Sequence, residues 1–583
     1  MIRIMIDYTL TELFIDLGSQ SSQKQSLSEE TCRNYLGGRG LAAWMLGKVP
    51  TVNALDAEAP LILSIGALTG SRIPASGRAA ISAFSPLTNT VCSCSVGGGL
   101  AIKMKKAGID LIRIQGRAKK PLVVKIDDGA VHFEEFLAPD ETLLSEIFSA
   151  LRHSDYSVAA IGRSAYQGCL YSSIMVDSTF ASGRGGLGMV MGSKNLRALA
   201  IRGNAPIHAF DPKLEERSRR DIIRLFDASP AIMGRSGIKN YGTGTLVDLI
   251  ASRRMMPTAN FRRTYFDDYR AFSACRIRDA YSPRHYACQG CPIGCKQKAG
   301  DEIPEYETLS HFGALNENAD LASIIEANRI CNQAGFDTIS AAASIACLAE
   351  IREEKYQGRA LVNMVSQIAE VKGIGELLQL GSDRLGRELG APEASMSVKS
   401  LEMPAYDPRG AYGMALAYCT STRGGCHLRA YPISHEILRK PVATDRFSFS
   451  GKARIIKIAE DLNAVIDSIG ACKFAFFGAS LEEYAKGFAA ITGLDYDAQD
   501  LLQIGDKIYC LERYINMLRG FRAEDDMLPD RFFAEAGTHG AGIEIPPLDK
   551  DAFIETLRRY YAIRGCATDG TFSSERIREF APC

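Results

Sequence analysis

The sequence predicts an α+β protein whose first third forms β-sheet and whose remainder is mainly helical. Up to about residue 204, short alternating or apolar runs have the period of β-strands. After Asn204-Ala205-Pro206, apolar residues recur with the spacing of an α-helix. A chain of 583 residues is too long for one hydrophobic core. We therefore expect about two to four domains packed together.

The individual elements follow from these two periods. Strand-like segments are residues 2–6, 61–64, 79–84, 111–115, 122–126, 157–161 and 199–202, and residues 1–17 as a whole alternate like two strands. Helical segments are residues 213–228, 244–254, 321–334, 338–353, 358–372, 452–467, 481–494, 497–519 and 551–564. Asp337, Thr338 and Ser340 are suitable cap residues for the helix at 338–353. We place domain boundaries near residues 206 and 408.

Glycine-dense loops lie between the predicted strands, at residues 37–40, 66–78, 97–99 and 183–188. Repeated glycine lets backbone amides approach an anion, and Arg39, Arg78 and Arg184 add groups that bind phosphate. None of these loops is a Walker motif or has the strand–GxGxxG–helix context of a dinucleotide fold. Glycine loops usually only turn the chain, but together these suggest a large phosphate-bearing cofactor held by backbone.

The composition is that of an ordinary soluble globular protein, with 46% hydrophobic and 23% charged residues. The formal net charge is zero, so nothing indicates a nucleic-acid partner. No apolar run reaches the roughly 20 residues that a membrane span needs, and residues 1–17 lack the apolar core of a signal peptide. We expect a cytoplasmic protein in which most of the 16 cysteines are buried thiols.

The strongest local motif is a cysteine triplet, Cys288, Cys291 and Cys295, in a loop that also contains glycine and proline. Thiolates in this arrangement bind zinc or an iron–sulfur cluster. A zinc ribbon would be expected to offer a second Cys-x-x-Cys pair, and the sequence has none. The two-then-three spacing is also the reverse of the radical-SAM pattern. We predict a [4Fe–4S] cluster whose fourth ligand comes from elsewhere, with Cys472 as the first candidate.

Several segments resemble the aldehyde:ferredoxin oxidoreductase family of tungsten enzymes, in order and nearly from end to end. They include Gly183-Arg184-Gly185-Gly186-Leu187-Gly188, Arg423-Gly424-Gly425-Cys426-His427 and residues 35–42, 86–88, 191–196, 304–307, 321–328 and 404–411. The resemblance implies a β-sheet base domain at 1–206 and two mainly helical domains, at 207–408 and 409–583, that close over a buried cofactor. The cluster loop would lie in the second domain and the fourth cluster cysteine in the third.

The implied cofactors are a tungsten bis-pyranopterin, a [4Fe–4S] cluster and a magnesium ion bridging the pterin phosphates. Molybdenum uses the same pterin dithiolenes, so the sequence alone does not select the metal, and the resemblance favours tungsten. The family's cluster ligands match Cys288, Cys291, Cys295 and Cys472. Its pterin and phosphate contacts match Arg78, Ser95, Gly97, Gly183, Arg184, Gly185, Asn332, Phe336, Asp337, Arg423, Arg429, Asp467 and Ala471.

Two of these positions depart from the family pattern. The family uses two Asp-x-x-Gly-x-Asp/Cys segments, and the one from Asp467 to Cys472 is intact. The other begins with Asn332 where aspartate is usual, so a hydrogen bond to a pterin N–H would lose its charge assistance. Arg429 stands where a lysine is expected, which keeps the positive charge.

By resemblance, Glu307 and His427 are the carboxylate and imidazole beside the metal. We expect oxidation of a small aldehyde to the acid, with Glu307 activating water and His427 binding the substrate oxygen. Without the resemblance, Glu307 would be interpreted as a surface acid and His427 as a structural histidine. The electron acceptor would be ferredoxin or a ferredoxin-like iron–sulfur subunit.

Two other functions remain open at this point. One is the low-potential reductive direction, as in the family's benzoyl-CoA ring reductases. The other is a non-catalytic iron–sulfur electron-transfer subunit, against which the retention of Glu307, His427, Arg184 and Asp467 argues.

Some family members bridge two subunits with a mononuclear iron held by a glutamate and a histidine. Glu326 occupies the glutamate position, but residues 361–369 contain no histidine. We therefore predict no bridging iron. A homodimer or a hetero-oligomer remains open.

Overall fold

The computed structural model describes residues 8–151 and 155–581 and confirms the α+β class. Its N-terminal part contains two six-stranded mixed sheets, and helices dominate the rest. The strand predicted at residues 2–6 lies outside the described residues. No helix in the described ranges is long and apolar enough to cross a membrane.

The first sheet has the spatial order Ser21–Ser26, Thr11–Asp16, Leu111–Gln115, Leu61–Ile65, Ala79–Phe84, Val91–Val96. The second has the order Phe180–Ser182, Ile174–Val176, Ser157–Ile161, Leu196–Arg202, Leu122–Asp127, Ala130–Glu135. Each sheet has one parallel pair, Thr11–Asp16 with Leu111–Gln115 in the first and Leu196–Arg202 with Leu122–Asp127 in the second. Smaller sheets are formed by Arg284–Tyr286, Lys296–Ala299 and Asp301–Glu302, and by Ser397–Val398 and Leu401–Glu402.

The two large sheets share one hydrophobic core. Ile15 and Ile81 of the first sheet belong to the same buried cluster as Val124 and Ile161 of the second. The strand Ala79–Phe84, next to the edge strand Val91–Val96, is buried at every position, which explains its mostly apolar sequence. Ser21–Ser26 is a fully exposed edge strand of polar residues, so hydrophobic periodicity did not reveal it.

The helices agree with the predicted segments, with one change. The segment predicted as a helix at 244–254 is a 3-10 turn, Gly242–Thr245, followed by a short helix, Leu246–Ser252. The α-helices are Glu29–Tyr35, Gly38–Gly47, Leu100–Lys106, Leu144–Leu151, Leu187–Ser193, Pro212–Asp227, Ile238–Tyr241, Leu246–Ser252, Ala274–Tyr281, Tyr306–Phe312, Leu321–Ala334, Thr338–Arg352, Arg359–Glu370, Gly375–Leu378, Ser382–Glu388, Tyr412–Thr420, Ile433–Glu436, Lys452–Ile469, Leu481–Thr492, Ala498–Leu518, Arg531–Ala534, Lys550–Arg564 and Ser574–Ile577.

Two further hydrophobic cores organise the helices. One contains residues on both sides of position 408, such as Leu246 and Tyr561, together with Leu87, Cys169 and Tyr171 from the N-terminal part. The other joins the segment around Leu41 to the helices that contain Val465 and Ile508. The N-terminal part therefore packs directly against the helix that leads to Cys472. The domain boundaries near 206 and 408 remain predictions.

Glycines allow the closest approach between these parts. A Cβ atom at Gly66 would lie 1.9 Å from the carbonyl carbon of Ile469, and one at Gly38 would lie 2.3 Å from the Asp467 oxygen. The glycine loop at 37–40 therefore packs against the end of helix Lys452–Ile469. Arg39 in this loop donates two hydrogen bonds, of 2.7 and 2.6 Å, to the buried Glu512 carboxylate. The sequence pattern had suggested that Arg39 binds a phosphate, whereas in the structure its partner is a carboxylate.

Candidate active site

A cavity of about 320 Å³ lies where the sheets meet the helices. Its walls bring together many of the sequence-predicted site residues, namely Arg78, Gly97, Gly183, Arg184, Cys288, Cys291, Cys295, Glu307, Asp337, Arg423, His427 and Cys472. We call this space the reaction cavity. Its lining comes from the N-terminal sheets, the cysteine loop and the C-terminal helices.

The four predicted cluster cysteines line the reaction cavity together. The cysteine loop turns tightly, with the Cys291 amide donating to the Cys288 carbonyl at 3.0 Å. Cys472 is bonded to the glycine-dense loop at 66–78, because its amide donates to the Ala75 carbonyl at 2.8 Å. It follows Gly470, whose φ of 83° ends the preceding helix in a left-handed conformation.

The surroundings of the half-buried cysteines shift their pKa values. Burial raises the pKa of Cys291 to about 11 and also raises the pKa values of Cys295 and Cys472. Within residues 8–151 and 155–581, no three His, Cys, Asp or Glu side chains converge tightly enough to hold one metal ion. The ligands of a single metal ion must converge on one point, whereas each cysteine of a cubane cluster binds its own iron, so the four sulfurs lie further apart. Four thiols around one cavity fit such a cluster.

Arg78 lies between the cysteines and the sheet. Its Nε and Nη2 atoms donate to the hydroxyl and carbonyl oxygens of Ser95 at 3.0 and 2.6 Å. Burial alone would lower the pKa of Arg78, but the neighbouring charges of Cys472 and other cysteines raise it overall. A Cβ atom at Gly97 would lie 2.5 Å from the Cys288 sulfur. Only glycine at position 97 therefore allows the end of strand Val91–Val96 to lie this close to the cysteine loop.

The loop at 183–185 supplies a second cationic wall. Arg184 Nε lies 3.0 Å from Asp337 Oδ2, and Arg184 Nη2 donates to the Glu402 carbonyl at 2.7 Å. Asp337 caps helix Thr338–Arg352, as predicted, by accepting from the amides of Ile339 and Ser340. Gly185 does not line the reaction cavity, because it turns away with a φ of 81° toward Cys92.

Asn332 and Phe336 line a smaller cavity of about 120 Å³, which shares Gly183 and Asp337 with the reaction cavity. Asn332 Nδ2 donates to Glu302 Oε2 at 3.2 Å. The position that departs from the family pattern therefore contacts a carboxylate supplied by another residue.

The remaining predicted contacts lie behind the cavity wall. Arg429 and Arg39 each place an Nη1 atom 3.7 Å from Asp467 Oδ2, and Lys473 pairs with the same carboxylate. Ala471 is buried, with its amide bonded to the carbonyl of Ile466.

Arg423 lines the reaction cavity, but its guanidinium group donates hydrogen bonds to cysteine sulfur atoms. Its Nε and Nη2 atoms lie 3.1 and 3.0 Å from Cys426 Sγ, and its Nη1 atom lies 3.3 Å from Cys94 Sγ.

Glu307 and His427 face each other in the reaction cavity, with 3.5 Å between Glu307 Oε1 and His427 Nε2. The Ala405 amide donates to Glu307 Oε2 at 2.9 Å. Burial raises the pKa of Glu307 to about 8. Burial, together with Arg423 and Arg184, lowers the pKa of His427 well below its ordinary value. Glu307 Oε1 and His427 Nδ1 are buried and have no hydrogen-bond partner in the described part of the chain.

Sequence reasoning did not identify several residues beside this pair. The rings of Tyr406 and Tyr431 lie 5.4 and 5.7 Å from the His427 ring, and their hydroxyl groups are 3.1 Å apart. Lys296 and Leu246 also line the cavity. Lys296 directly follows Cys295, so its position next to a predicted cluster ligand could have indicated that it lines the cavity. Nothing in the local sequence indicates that Tyr431 or Leu246 does.

Glu326, at the family's bridging-iron position, is half-buried on helix Leu321–Ala334. Its Oε1 atom pairs with Arg329 Nη2 at 2.6 Å. The absence of a bridging iron stays a prediction.

Two family models match the chain. Their descriptions are aldehyde ferredoxin oxidoreductase, N-terminal domain, over residues 12–203, and aldehyde ferredoxin oxidoreductase, domains 2 & 3, over residues 217–581. The chain is 35% identical to a tungsten-containing aldehyde ferredoxin oxidoreductase of Pyrococcus furiosus, covering 97% of both chains. It is 34% identical to the protein of the same name from Thermococcus kodakarensis, covering 97% of this chain and 98% of that relative.

Among solved structures, the active site complex BamBC of benzoyl coenzyme A reductase with 1,5 dienoyl-CoA has a similar fold. The TM-score is 0.84 at 20% sequence identity, with 98% of this chain and 96% of that chain covered. At this level of identity the likeness concerns the fold alone.

Proposed function

The chain belongs to the aldehyde ferredoxin oxidoreductase family, an oxidoreductase family with tungsten-containing members, and we propose that it oxidises an aldehyde to a carboxylic acid. The observation that carries this proposal is the pairing of Glu307 with His427 on the wall of a cavity that also holds four cysteines. The relatives at 35% and 34% identity support the same reaction.

The residues present fit the family's cofactors. Cys288, Cys291, Cys295 and Cys472 would hold a [4Fe–4S] cluster. Pterins and their phosphates, with a magnesium ion, would be held by the predicted residues that line the reaction cavity, namely Arg78, Gly97, Gly183, Arg184, Asp337 and Arg423. The other residues of the family pattern do not line this cavity, namely Ser95, Gly185, Asn332, Phe336, Arg429, Asp467 and Ala471. When bound, the tungsten pterin would supply a Lewis acid and a two-electron acceptor, and the cluster would supply single-electron transfer.

The reaction requires a base. An aldehyde and one water give a carboxylic acid, two protons and two electrons. Glu307 takes a proton from the water as it attacks the carbonyl carbon, because its free Oε1 atom faces the cavity. With a pKa near 8, the carboxylate can accept and return a proton close to neutral pH. The Ala405 amide holds the other carboxyl oxygen in place.

His427 has a different task. Its lowered pKa keeps the imidazole neutral near pH 7, so one ring nitrogen can donate to the substrate carbonyl oxygen while the other accepts. The rings of Tyr406 and Tyr431 pack beside it and fix its orientation. The neutral imidazole avoids an additional buried charge beside Arg423 and Arg184.

The electron acceptor in this proposal is a ferredoxin or a ferredoxin-like iron–sulfur subunit. The cysteine loop is close to the surface, since Gln289 and Gly290 are exposed and the cysteines are half-buried. A carrier can therefore approach the cluster ligands directly. No disulfide joins any two of the described cysteines, which suits the reducing cytoplasm that we expect for this protein.

The reductive alternative has less support than aldehyde oxidation. The benzoyl coenzyme A reductase complex shares the fold at 20% identity, whereas the aldehyde-oxidising relatives reach 35%. A non-catalytic role would not account for the raised pKa of Glu307 or for the position of His427 opposite it, since such perturbed groups cluster at active sites.

One experiment tests the proposal. The purified holoenzyme is analysed for tungsten, molybdenum and iron and assayed with short and aromatic aldehydes, using viologen as the electron acceptor. We expect tungsten, about four irons per chain for one cubane cluster, and aldehyde-dependent viologen reduction with formation of the acid. Metal-loaded protein that oxidises none of the aldehydes would overturn the proposal.

A further inference from the structure

The cysteine triplet lies in the loop of a β-hairpin. The strands of this hairpin, Arg284–Tyr286 and Lys296–Ala299, pair antiparallel, and the cysteine loop connects them. His285 Nδ1 lies 3.2 Å from a carbonyl oxygen of the cysteine loop. Lys298 is the third residue after Cys295, a distance of about 10 Å at about 3.3 Å per residue of strand. The outer part of the hairpin is therefore a surface next to the predicted cluster.

Two cations stand directly opposite each other on this hairpin. Arg284 is the cross-strand partner of Lys298. Side chains at opposite positions point to the same face of a sheet, with Cβ atoms about 5 Å apart, and like charges placed there destabilise the sheet. Both residues are exposed, and neither forms a salt bridge with a residue in the described ranges. The pair therefore offers two cationic groups to an anionic partner.

The inner cation of the same strand is neutralised within the protein. Lys296 Nζ lies 2.8 Å from Glu302 and 3.1 Å from Glu305. Glu302 is also the cross-strand neighbour of Lys298. Its Oε1 atom, however, already accepts from Lys296 and from the Tyr286 hydroxyl. The positive charge of the hairpin is thus balanced beside the reaction cavity and unbalanced at the surface.

An open groove of about 700 Å³ runs beside the two outer cations. We call it the basic groove. Arg284, Lys298 and Tyr281 help to line it, and none of its described lining residues is acidic. Asp279 and Asp301, in the adjoining helix and strand, do not line it. Tyr281 is 37% exposed, and both tyrosine and arginine are enriched in protein interfaces.

We propose that the basic groove is the docking surface for the electron carrier and that the carrier presents an acidic face to it. Arg284 and Lys298 attract the carboxylates of the carrier, which brings it to the exposed part of the cysteine loop at Gln289 and Gly290. The chain as a whole has a formal net charge of zero, so the attraction is local to the groove.

This inference rests on the proposed function and deepens it by naming the charge of the partner and the surface that binds it. Oxidation of one aldehyde releases two electrons. Two oxidised carriers accept them singly, each docking in turn at the basic groove.

The first test reverses the two charges. The holoenzyme and its Arg284→Glu/Lys298→Glu variant are assayed with one aldehyde, using either an acidic ferredoxin or benzyl viologen as the electron acceptor. Electrostatic steering raises association rates by about 10–10³-fold. At low salt, the ratio of kcat/KM for ferredoxin to that for viologen should therefore fall by at least about tenfold in the variant. Arg284→Gln/Lys298→Gln removes the charges without creating repulsion and should lower the same ratio by a smaller factor. It serves as the test if the reversed variant loses iron.

Lys119→Glu/Arg359→Glu is the matched control. Both residues are exposed, form no salt bridge in the described part of the chain and lie outside the basic groove. The change in net charge equals that of the reversed variant, but the ratio should equal that of the unchanged protein. Exposed charges are screened beyond about 10 Å at 0.1 M salt. Added salt should therefore lower the ratio of the unchanged protein toward that of the reversed variant.

The second test does not depend on turnover. A carbodiimide joins a lysine amine to a carboxylate through an amide bond, with loss of water. When the holoenzyme and the acidic ferredoxin are mixed with carbodiimide, peptide mass spectrometry should find Lys298 joined to a carboxylate of ferredoxin. High salt should suppress this cross-link, and Lys119, which is exposed outside the groove, should not be joined.

The outcomes separate the two proposals. Aldehyde oxidation with both acceptors, an unchanged ratio in the charge variants and no ferredoxin cross-link at Lys298 would overturn the docking surface while leaving the proposed function intact. A salt-sensitive cross-link at Lys298 in metal-loaded protein that oxidises no aldehyde would support the docking surface and overturn the proposed function. Cross-links from Lys298 to a second copy of the chain, with none to ferredoxin, would assign the groove to an interface between copies and overturn the inference.

Discussion

The Glu307 carboxylate and the His427 imidazole approach within 3.5 Å, although they belong to different parts of the chain. Glu307 is in the first turn of helix Tyr306–Phe312, and His427 begins a 3-10 turn, His427–Arg429. Their shared environment moves their pKa values in opposite directions, to about 8 for the acid and well below the ordinary value for the imidazole. A weak acid and a neutral imidazole are thus available side by side.

Replacement of the proposed base should separate catalysis from cofactor binding. Glu307→Gln keeps the shape of the side chain but removes the proton acceptor, and a general base contributes about 10²–10⁴-fold to rate. We expect aldehyde oxidation to fall by at least about 100-fold, with unchanged tungsten and iron content. Glu326→Gln is the control, because Glu326 does not line the reaction cavity and pairs with Arg329 near the surface. A Glu307→Gln enzyme with normal turnover would exclude Glu307 as the base.

The pH dependence of kcat/KM should report the raised pKa of Glu307. Because burial raises that pKa to about 8, the carboxylate form predominates only above this pH. The rate should therefore increase as the pH rises and level off above about 8, and it should decrease tenfold per pH unit well below it. Viologen-linked assays on both sides of pH 8 measure the profile. A rate that is constant from pH 6 to pH 8, or one that increases toward acid, would contradict the assigned role.

Removal of the distant cysteine should remove the cluster. Cys472→Ser deletes one of the four thiols that line the reaction cavity, and we expect the iron content and the visible absorption of the cluster to fall sharply. Cys275→Ser, at an exposed position outside the reaction cavity, should retain both. If the Cys472→Ser protein keeps full iron content and its spectrum, the fourth ligand lies elsewhere.

Helix Lys550–Arg564 is attached to its neighbours through a buried cation. Arg564 Nη2 lies 2.7 Å from Glu460 Oε2, and Arg564 Nη1 lies 2.7 Å from Asp506 Oδ1. Arg564→Met would leave the fully buried Glu460 carboxylate without a cation, which costs about 3–5 kcal/mol of stability, whereas Asp506 keeps Lys457 and Arg576. We expect a clear decrease in the thermal unfolding midpoint.

Arg559 on the same helix provides the control for this substitution. It pairs with Glu555 at the surface, and such exposed pairs contribute about 0–1 kcal/mol. Arg559→Met should therefore leave the unfolding midpoint nearly unchanged. Equal midpoints for the two variants would show that Arg564 has no special structural role.

Strands that are buried on both faces could be predicted from the sequence. Residues 79–84 and 157–161 were predicted as strands and form Ala79–Phe84 and Ser157–Ile161, because burial on both faces requires an apolar run. Ser21–Ser26 was missed because backbone pairing to Thr11–Asp16 forms it without any buried side chain.

The glycine loops show where local interpretation fails. Glycine permits close approach, but the sequence does not say what approaches. At Gly97 the neighbour is the sulfur of Cys288, whereas at Gly38 it is the backbone of Asp467. The same reasoning that associated Arg39 with phosphate could not anticipate that Glu512 engages its guanidinium.

By itself, the sequence determined the α+β class, the family and the triplet of Cys288, Cys291 and Cys295, because each depends on local period or spacing. The family resemblance predicted Cys472 as the fourth cysteine and Glu307 and His427 as neighbours of the metal. Only the tertiary structure showed that Cys472 lines the same cavity as the triplet and that Glu307 Oε1 lies 3.5 Å from His427 Nε2. These relationships depend on how separate helices and sheets pack. This packing depends on the summed burial of many residues, so it cannot be predicted from any single segment of the chain.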